Sequence, residues 1–190
     1  MSRLEKYLDK LTVSDEDKIE KRTRCGCALV IKEGENGENL LLILRRSPSD
    51  HWPLHYDLPR GGCDYGKKDG PNDEKILPCV KRECKEETGL DVIPIKFIDK
   101  FQYIADNGTR ATTQYNFLCK MKDPNQKVKL SNEHDNFEWI SSIGQAELFL
   151  LPEIKRTIVK VLNPEDRIVD YPESELTDDK ISEMVDKYFR

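Results

Sequence analysis

The stretch EKILPCVKRECKEETGL, residues 74–90, decides the fold of this 190-residue chain. Its pattern predicts a helix from about Glu74 to Thr88 that closes at Gly89, a residue suited to a left-handed C-cap. Pro78 falls near the first turn and is expected to set where the regular helix begins. The sequence therefore places one helix in the middle of the chain, with strand-like segments before and after it.

Three glutamates on this helix share one face, because Glu83, Glu86 and Glu87 stand at i, i+3 and i+4. Like charges at this spacing cost a bare helix about 0.2–0.5 kcal/mol per pair, and near the C-terminus they also oppose the helix dipole. Clustered carboxylates are what hard cations such as Mg²⁺ and Mn²⁺ bind. The alternative is a solvated acidic face. The glycine-rich segment at 59–62 favours the metal, since exposed backbone there could reach the same ion.

These residues resemble the Nudix box, a Gly and a Glu followed by Arg-Glu-apolar-x-Glu-Glu-x-Gly-apolar. Seven residues separate Glu74 from Arg82, and the segment 82–90 fills every fixed position of the pattern. Cys84 stands at the apolar position, which predicts packing of the helix on a sheet. Eleven residues separate Gly62 from Glu74, six more than in the pattern, which predicts an exposed loop within 66–73.

The resemblance extends to about residues 24–162. The segment Leu130-Ser-Asn-Glu-His134, followed by Phe137-Glu-Trp139, is similar to a stretch of Nudix enzymes that hydrolyse dinucleoside polyphosphates and related nucleotides. It also occurs in relatives that act on nucleoside triphosphates. The implied activity is that of a Nudix-type pyrophosphohydrolase, in which water attacks a phosphorus of a nucleoside diphosphate-linked compound and Mg²⁺ or Mn²⁺ assists.

The resemblance also implies roles for individual residues. The implied metal ligands are the Gly61 carbonyl, Glu83, Glu86 and Glu87. Arg82 is expected to hold a ligand glutamate by a bidentate ion pair, with Glu74 as a further partner of Arg82. Glu133 is a candidate general base or additional ligand, the alternative being that Glu133 and His134 only order their loop.

Substrate contacts are predicted at basic and aromatic positions. Arg46 and Arg60 are candidates for phosphate binding, with Arg45 and the lysines at 67 and 68 of the inserted loop, although each is also compatible with a plain surface charge. Tyr103 is the candidate for nucleobase stacking, together with Phe101 and Trp139, and a core position is the alternative for Trp139.

Composition limits the partners of the protein. The net charge of −5, from 31 basic and 36 acidic residues, gives no general attraction for long nucleic acid. No segment approaches the roughly 18 apolar residues that cross a bilayer, and the first ten residues lack a secretory core. The sequence therefore predicts a cytoplasmic protein. Its six cysteines are expected to be reduced thiols.

The segment boundaries predict an α/β fold, an α/β/α sandwich of Nudix type around a mixed β-sheet with extra N- and C-terminal helices. Three parts are expected: a helical extension at 1–23, the hydrolase domain at 24–162 and an acidic C-terminal extension at 163–190 with an amphipathic helix. Later in the domain, a helix is expected from about Ile143 to Leu162. The sequence leaves open whether the terminal helices pack on the domain or on a second subunit in a homodimer.

Three functions fit these observations. The first is metal-dependent hydrolysis of a phosphoanhydride bond in a small nucleotide, with dinucleoside polyphosphates and nucleoside triphosphates as the favoured substrates. The second is removal of pyrophosphate or cap from RNA 5′ ends. The third is a non-catalytic Nudix module that senses a nucleotide, which the complete set of acidic box residues disfavours.

Overall fold

A computed structural model describes residues 21–50, 52–63, 74–105, 109–144, 148–149 and 151–162. The two predicted terminal helices and the loop inserted before Glu74 lie outside these residues. Among the residues described, no helix is long and apolar enough to cross a membrane.

The described strands form one mixed sheet. Their bounds are β1 Lys21–Glu33, β2 Asn39–Arg46, β3 Tyr56–Asp57, β4 Arg60–Gly62, β5 Val92–Ala105, β6 Arg110–Met121 and β7 His134–Ile140. The order is β3-β2-β1-β6-β5, with β4 paired to β1 and β7 paired to β2. β1 runs parallel to β6, and the other pairs are antiparallel. The sequence has β-like runs at 25–32 and 39–46 and at 92–103 and 110–121, and turn residues between the runs of each pair predict two hairpins. The antiparallel pairs β1–β2 and β5–β6 confirm them.

Two helices cover the two faces of this sheet, α1 at Ile76–Thr88 and α2 at Pro152–Leu162. The period-two alternation of strand residues creates two cores. On β1, Ala28 and Val30 pack in the core that contains α1, whereas Leu29 packs in the core that contains α2. Apolar burial on both faces confirms the predicted α/β/α sandwich.

Helix α1 agrees closely with its prediction. It begins at Ile76, so that Pro78 lies in the first turn, where no helical hydrogen bond is lost. Gly89 has φ 72° and its N–H donates to the Lys85 carbonyl at 2.9 Å, which closes the helix as expected. Cys84 is fully buried in the core beneath α1, which confirms its packing role.

The prediction for α2 is wrong at its N-terminus. The helix was expected from Ile143, but it begins at Pro152. Phe149 instead forms a β-bridge with Tyr56, and its ring is buried against that tyrosine. Burial of Phe149 therefore comes from this β-bridge and not from a helix face. Pro152 lacks an N–H and suits the first turn of a helix better than its interior.

The expectation of reduced thiols is corrected for one pair. Cys63 and Cys79 form a disulfide, whereas Cys25, Cys27, Cys84 and Cys119 are free and buried. The two bonded residues have Cα atoms 5.0 Å apart, within the range that a disulfide spans. Their proximity depends on docking of the end of β4 against α1, which spacing along the chain does not reveal.

The α2 core supplies a stability test. Replacement of Ile158 by Ala should lower the free energy of unfolding by about 2–5 kcal/mol, because the side chain is fully buried and leaves a cavity. Its neighbour Val159 is 53% exposed, so Val159→Ala is the matched control and should change stability by no more than about 0.5 kcal/mol. Urea unfolding followed by circular dichroism measures both. Equal effects would contradict the assignment of this helix face to the core.

Candidate active site

The acidic face of α1 lies directly against the backbone of β4. Glu83 and Glu87 are 8% and 7% exposed, although both carry carboxylates. A Cβ atom built on Gly61 would overlap the Glu83 carboxylate, so a side chain at this position would force Glu83 to move. The close approach brings the Gly61 backbone and the Glu83 carboxylate into one small volume.

Arg82 holds several of the acidic groups together. Its Nε and Nη2 donate to the two carboxylate oxygens of Glu74 at 2.9 and 2.7 Å, and Nη1 donates to Glu83 at 2.6 Å and to Glu86 at 3.1 Å. Nη2 also reaches the Gly62 carbonyl at 3.0 Å. The predicted Glu74–Arg82 pair is confirmed, and the bidentate contact goes to Glu74 rather than to Glu83. Burial raises the pKa of Glu83, and the hydrogen bond and charge of Arg82 oppose that rise.

Glu87 sits in an excess of negative charge. Burial raises its pKa, and the charges of Asp57, Glu133 and Glu83 raise it further, while a hydrogen bond from the Arg60 peptide N–H lowers it. That N–H lies 3.1 Å from Glu87 Oε2. A carboxylate in this setting is stabilised in its charged form by a cation placed beside it.

The donor atoms suit a hard divalent cation, since the Glu83 and Glu87 carboxylates and the Gly61 backbone all offer oxygen. Within the residues described, however, no three His, Cys, Asp or Glu side chains are grouped closely enough to enclose an ion. Glu86 is turned toward Arg82 and its side chain is 60% exposed. The assignment of Gly61, Glu83, Glu86 and Glu87 as metal ligands therefore stays a prediction. It requires the Glu86 side chain to leave Arg82 and point toward the other three groups.

The loop that carries Glu133 is docked on the C-terminal end of α1. The Ser131 N–H donates to the Glu87 carbonyl at 3.0 Å, and the Ser47 N–H donates to the Glu133 carbonyl at 2.9 Å. Glu133 is exposed, whereas the adjacent His134 is 5% exposed. Burial lowers the pKa of His134, and its Nδ1 has no hydrogen-bond partner among the residues described. The burial of His134 fits an ordering role in this loop.

The predicted phosphate-binding arginines are engaged in ion pairs rather than extended into solvent. Arg60 donates from Nη1 to the Tyr103 hydroxyl at 3.0 Å, and its guanidinium carbon lies 5.4 Å from the centre of that ring. Arg46 donates to Asp50 at 3.0 Å and to Asp57 at 3.1 Å. The structure thus brings Arg60 and Tyr103 together and ties Arg46 into the same charged cluster through Asp57. Whether these groups contact substrate stays a prediction.

The three predicted stacking residues do not share one surface. Phe101 and Tyr103 pack on the α2 side of the sheet, with ring centres 6.2 Å apart. Trp139 packs on the α1 side, and Lys32 Nζ lies 4.4 Å from the centre of its ring. Because Trp139 packs against the core beneath α1, it lies on the other side of the sheet from Tyr103.

Sequence reasoning missed two polar residues of this region. Asp57 and Gln114 are both fully buried and both bind the Arg60 side chain. Asp57 immediately precedes the Leu58-Pro59-Arg60 turn, a position that could have drawn attention. Gln114 carries no such signal, because it lies on β6 and reaches Arg60 only through the pairing of strands.

Comparisons with known proteins agree with this geometry. The model of the NUDIX domain matches residues 23–161. The bis(5′-nucleosyl)-tetraphosphatase [asymmetrical] of Mus musculus is 28% identical over 133 residues, which is 68% of this chain and 82% of that protein. The MutT protein from Methanosarcina mazei Go1 has a TM-score of 0.56 with 26% identity, covering 79% of this chain and 99% of that one. A C. elegans Ap4A hydrolase has a TM-score of 0.53 with 20% identity, covering 72% and 94%, and shows the shared fold.

The chain belongs to the NUDIX family. It is a Nudix-type pyrophosphohydrolase, a hydrolase that acts on nucleotide compounds.

Gly61 gives a direct test of the site. Gly61→Ala should lower kcat/KM for nucleotide hydrolysis by about 100-fold or more, because the added methyl group displaces Glu83 or the β4 backbone. Gly144→Ala is the control, since a Cβ atom there meets no atom within 4 Å. Anion-exchange chromatography of the nucleotide products measures activity, and circular dichroism checks the fold. A Gly61→Ala variant with normal activity would show that the Gly61–Glu83 contact is not part of the site.

Proposed function

We propose that this protein hydrolyses a phosphoanhydride bond of a dinucleoside polyphosphate in a reaction that requires Mg²⁺ or Mn²⁺. The observation that carries the metal requirement is the burial of Glu83 and Glu87 against Gly61, which concentrates oxygen donors and negative charge at one point. Support for the substrate comes from the similarity to a bis(5′-nucleosyl)-tetraphosphatase. The Glu133-His134 and Trp139 pattern agrees with the same substrate class.

The proposed reaction is an attack of water on phosphorus. A new bond forms between the water oxygen and a phosphorus of the chain, the bridging P–O bond breaks, and the bridging oxygen leaves with the other phosphate group. A divalent cation supplies neutralisation of phosphate charge and activation of water. Glu83, Glu86, Glu87 and the Gly61 carbonyl would hold this cation, and Arg82 holds Glu83. Glu133 is exposed beside Glu87 and accepts the proton of the attacking water.

Arg60 and Tyr103 are proposed to form the substrate side of the site. The Arg60 guanidinium is buried and pairs with Asp57, while the peptide N–H of the same residue donates to Glu87, a proposed metal ligand. A guanidinium charge suits a phosphate oxygen. The Phe101 and Tyr103 rings lie on the same face and offer a stacking surface for a nucleobase. A polyphosphate between these groups would extend from the metal toward the aromatic pair.

The substrate is tested with a panel of dinucleoside tetraphosphate, nucleoside triphosphates, a nucleotide sugar and capped or triphosphorylated RNA. An off-centre cut of a tetraphosphate should give one mononucleotide with one phosphate and one with three, resolved by anion-exchange chromatography. We expect kcat/KM for the dinucleoside tetraphosphate to exceed that for the other substrates by at least about tenfold, a difference of 1.4 kcal/mol. A preference for triphosphates or RNA would replace the proposed substrate. Hydrolysis of none would favour the nucleotide-sensing module.

The metal requirement is tested by Glu86→Gln and by chelation. Glu86→Gln should lower kcat by about tenfold to 100-fold while the fold is retained, because a proposed ligand charge is lost. Lys85→Gln changes an exposed charge on the same helix that pairs with Asp91, and it is the matched control with unchanged kcat. EDTA should abolish hydrolysis, and added Mn²⁺ should restore it. Activity that survives EDTA would exclude the metal mechanism.

A further inference from the structure

A buried charged cluster lies at the base of the turn that leads into β4. The Asp57 side chain is fully buried, and its two oxygens accept hydrogen bonds from Arg60 Nε at 2.8 and 2.9 Å. Arg46 Nη2 donates to Asp57 at 3.1 Å, and the Leu58 N–H donates at 2.9 Å. Although burial favours the neutral acid, these partners hold the pKa of Asp57 below its usual value. Asp57 is therefore a fixed anion inside the protein.

The Arg60 side chain is held at both of its ends. Nε is bound by Asp57, and Nη1 donates to the Gln114 carbonyl oxygen at 2.9 Å as well as to the Tyr103 hydroxyl. Because the guanidinium is planar and rigid, hydrogen bonds at both Nε and Nη1 prevent it from rotating or shifting within its plane. The orientation of its side chain in turn restrains the Arg60 backbone.

The Gln114 anchor is itself held by a chain of hydrogen bonds. Its Nε2 donates to Asn116 Oδ1 at 2.7 Å, and Asn116 Nδ2 donates to Asp99 Oδ1 at 2.7 Å. Asp99 accepts a further bond from Thr157 Oγ1 on α2 at 3.0 Å. Because all these side chains are buried, the network ties Arg60 to the sheet and to α2 with little freedom to shift.

The Arg60 backbone leads directly to the acidic groups of α1. Its N–H donates to Glu87 Oε2, and the next residue is Gly61, which touches Glu83. We propose that Asp57 is a positioning residue, which fixes Arg60 so that the β4 backbone sets the geometry of Glu83 and Glu87. The inference deepens the proposed function and rests on it in taking Gly61, Glu83 and Glu87 as the groups that hold the metal.

The chain provides a matched pair of aspartates for the test. Asp50 and Asp57 both bind Arg46, at 3.0 and 3.1 Å, but only Asp57 binds Arg60. Asp57→Asn and Asp50→Asn are therefore compared in the full-length protein. The first readout is the Kd for Mn²⁺ alone, from the electron paramagnetic resonance signal of free Mn²⁺, which needs no catalysis. We expect Asp57→Asn to weaken Mn²⁺ binding by about tenfold or more and Asp50→Asn to change it by less than about twofold.

Enzyme kinetics separate positioning from a merely structural role. At saturating Mn²⁺, Asp57→Asn should lower kcat, and the Mn²⁺ concentration for half-maximal activity should rise in parallel with the Kd. A purely structural aspartate would lower Tm but leave kcat and the Mn²⁺ Kd unchanged below the melting range. An increase of KM alone would limit Asp57 to holding Arg60 for substrate. Equal effects of the two aspartate variants would mean that the loss arises from their shared partner Arg46. A structural effect alone, a KM effect alone, or equal effects of the two variants would each overturn the proposal.

A second variant covers the case in which Asp57→Asn does not fold. Arg60→Lys keeps a buried positive charge beside Asp57, but lysine cannot make the simultaneous hydrogen bonds that Nε and Nη1 of arginine make to Asp57 and Gln114. Weaker Mn²⁺ binding in Arg60→Lys supports the proposal, and wild-type binding overturns it. A wild-type protein that binds Mn²⁺ but hydrolyses no substrate would refute the proposed function while leaving the positioning test valid. A wild-type protein that binds no Mn²⁺ would remove the basis of both.

Discussion

The contact between the α1 carboxylates and the β4 backbone imposes the main constraint on this molecule. Glu83 and Glu87 are nearly closed off from water, which for a charged group is costly unless partners compensate. Arg82 compensates Glu83 from the helix side, and the Arg60 peptide N–H compensates Glu87 from the strand side. Glycine at position 61 leaves room for the Glu83 carboxylate, which a side chain at this position would displace. The pairing of β4 with β1 is what holds this backbone in place.

The two halves of the sandwich contribute differently to the site. Helix α1 provides the charges and, through Cys84, the packing that seats it on the sheet. Helix α2 packs on the opposite face of the sheet, yet its Thr157 joins the polar chain that reaches Arg60. Strand β1 links the two halves, because it pairs with β6 on one side and with β4 on the other. Gln114 of β6 lies opposite Cys25 of β1, and Cys25 in turn pairs with Gly62 of β4. The site therefore depends on all three layers.

Local features of the sequence were sufficient for much of the fold and for the acidic face. The runs that form β2 and β6 and the closure of α1 at Gly89 were predicted from local sequence, because each depends on residues close together in the chain. The Glu74–Arg82 pair was expected from the resemblance to the Nudix box, and it is present. Asp57 was missed because β3 is two residues long and has no periodicity to detect. The start of α2 was misplaced because the burial of Phe149 by Tyr56 is a contact between distant segments. Periodicity alone cannot separate a buried extended segment from a helix face.

The Cys63–Cys79 disulfide encloses the extra residues that lie between Gly62 and Glu74. These residues form part of a covalent ring whose closing bond joins the end of β4 to α1. A protease that cuts one peptide bond inside the ring would not separate the N-terminal fragment from the helix that carries the glutamates. The two fragments would migrate as one species in a denaturing gel until a thiol reductant is added. If the peptide chain is cleaved within this insertion, β4 and α1 therefore stay joined through the disulfide.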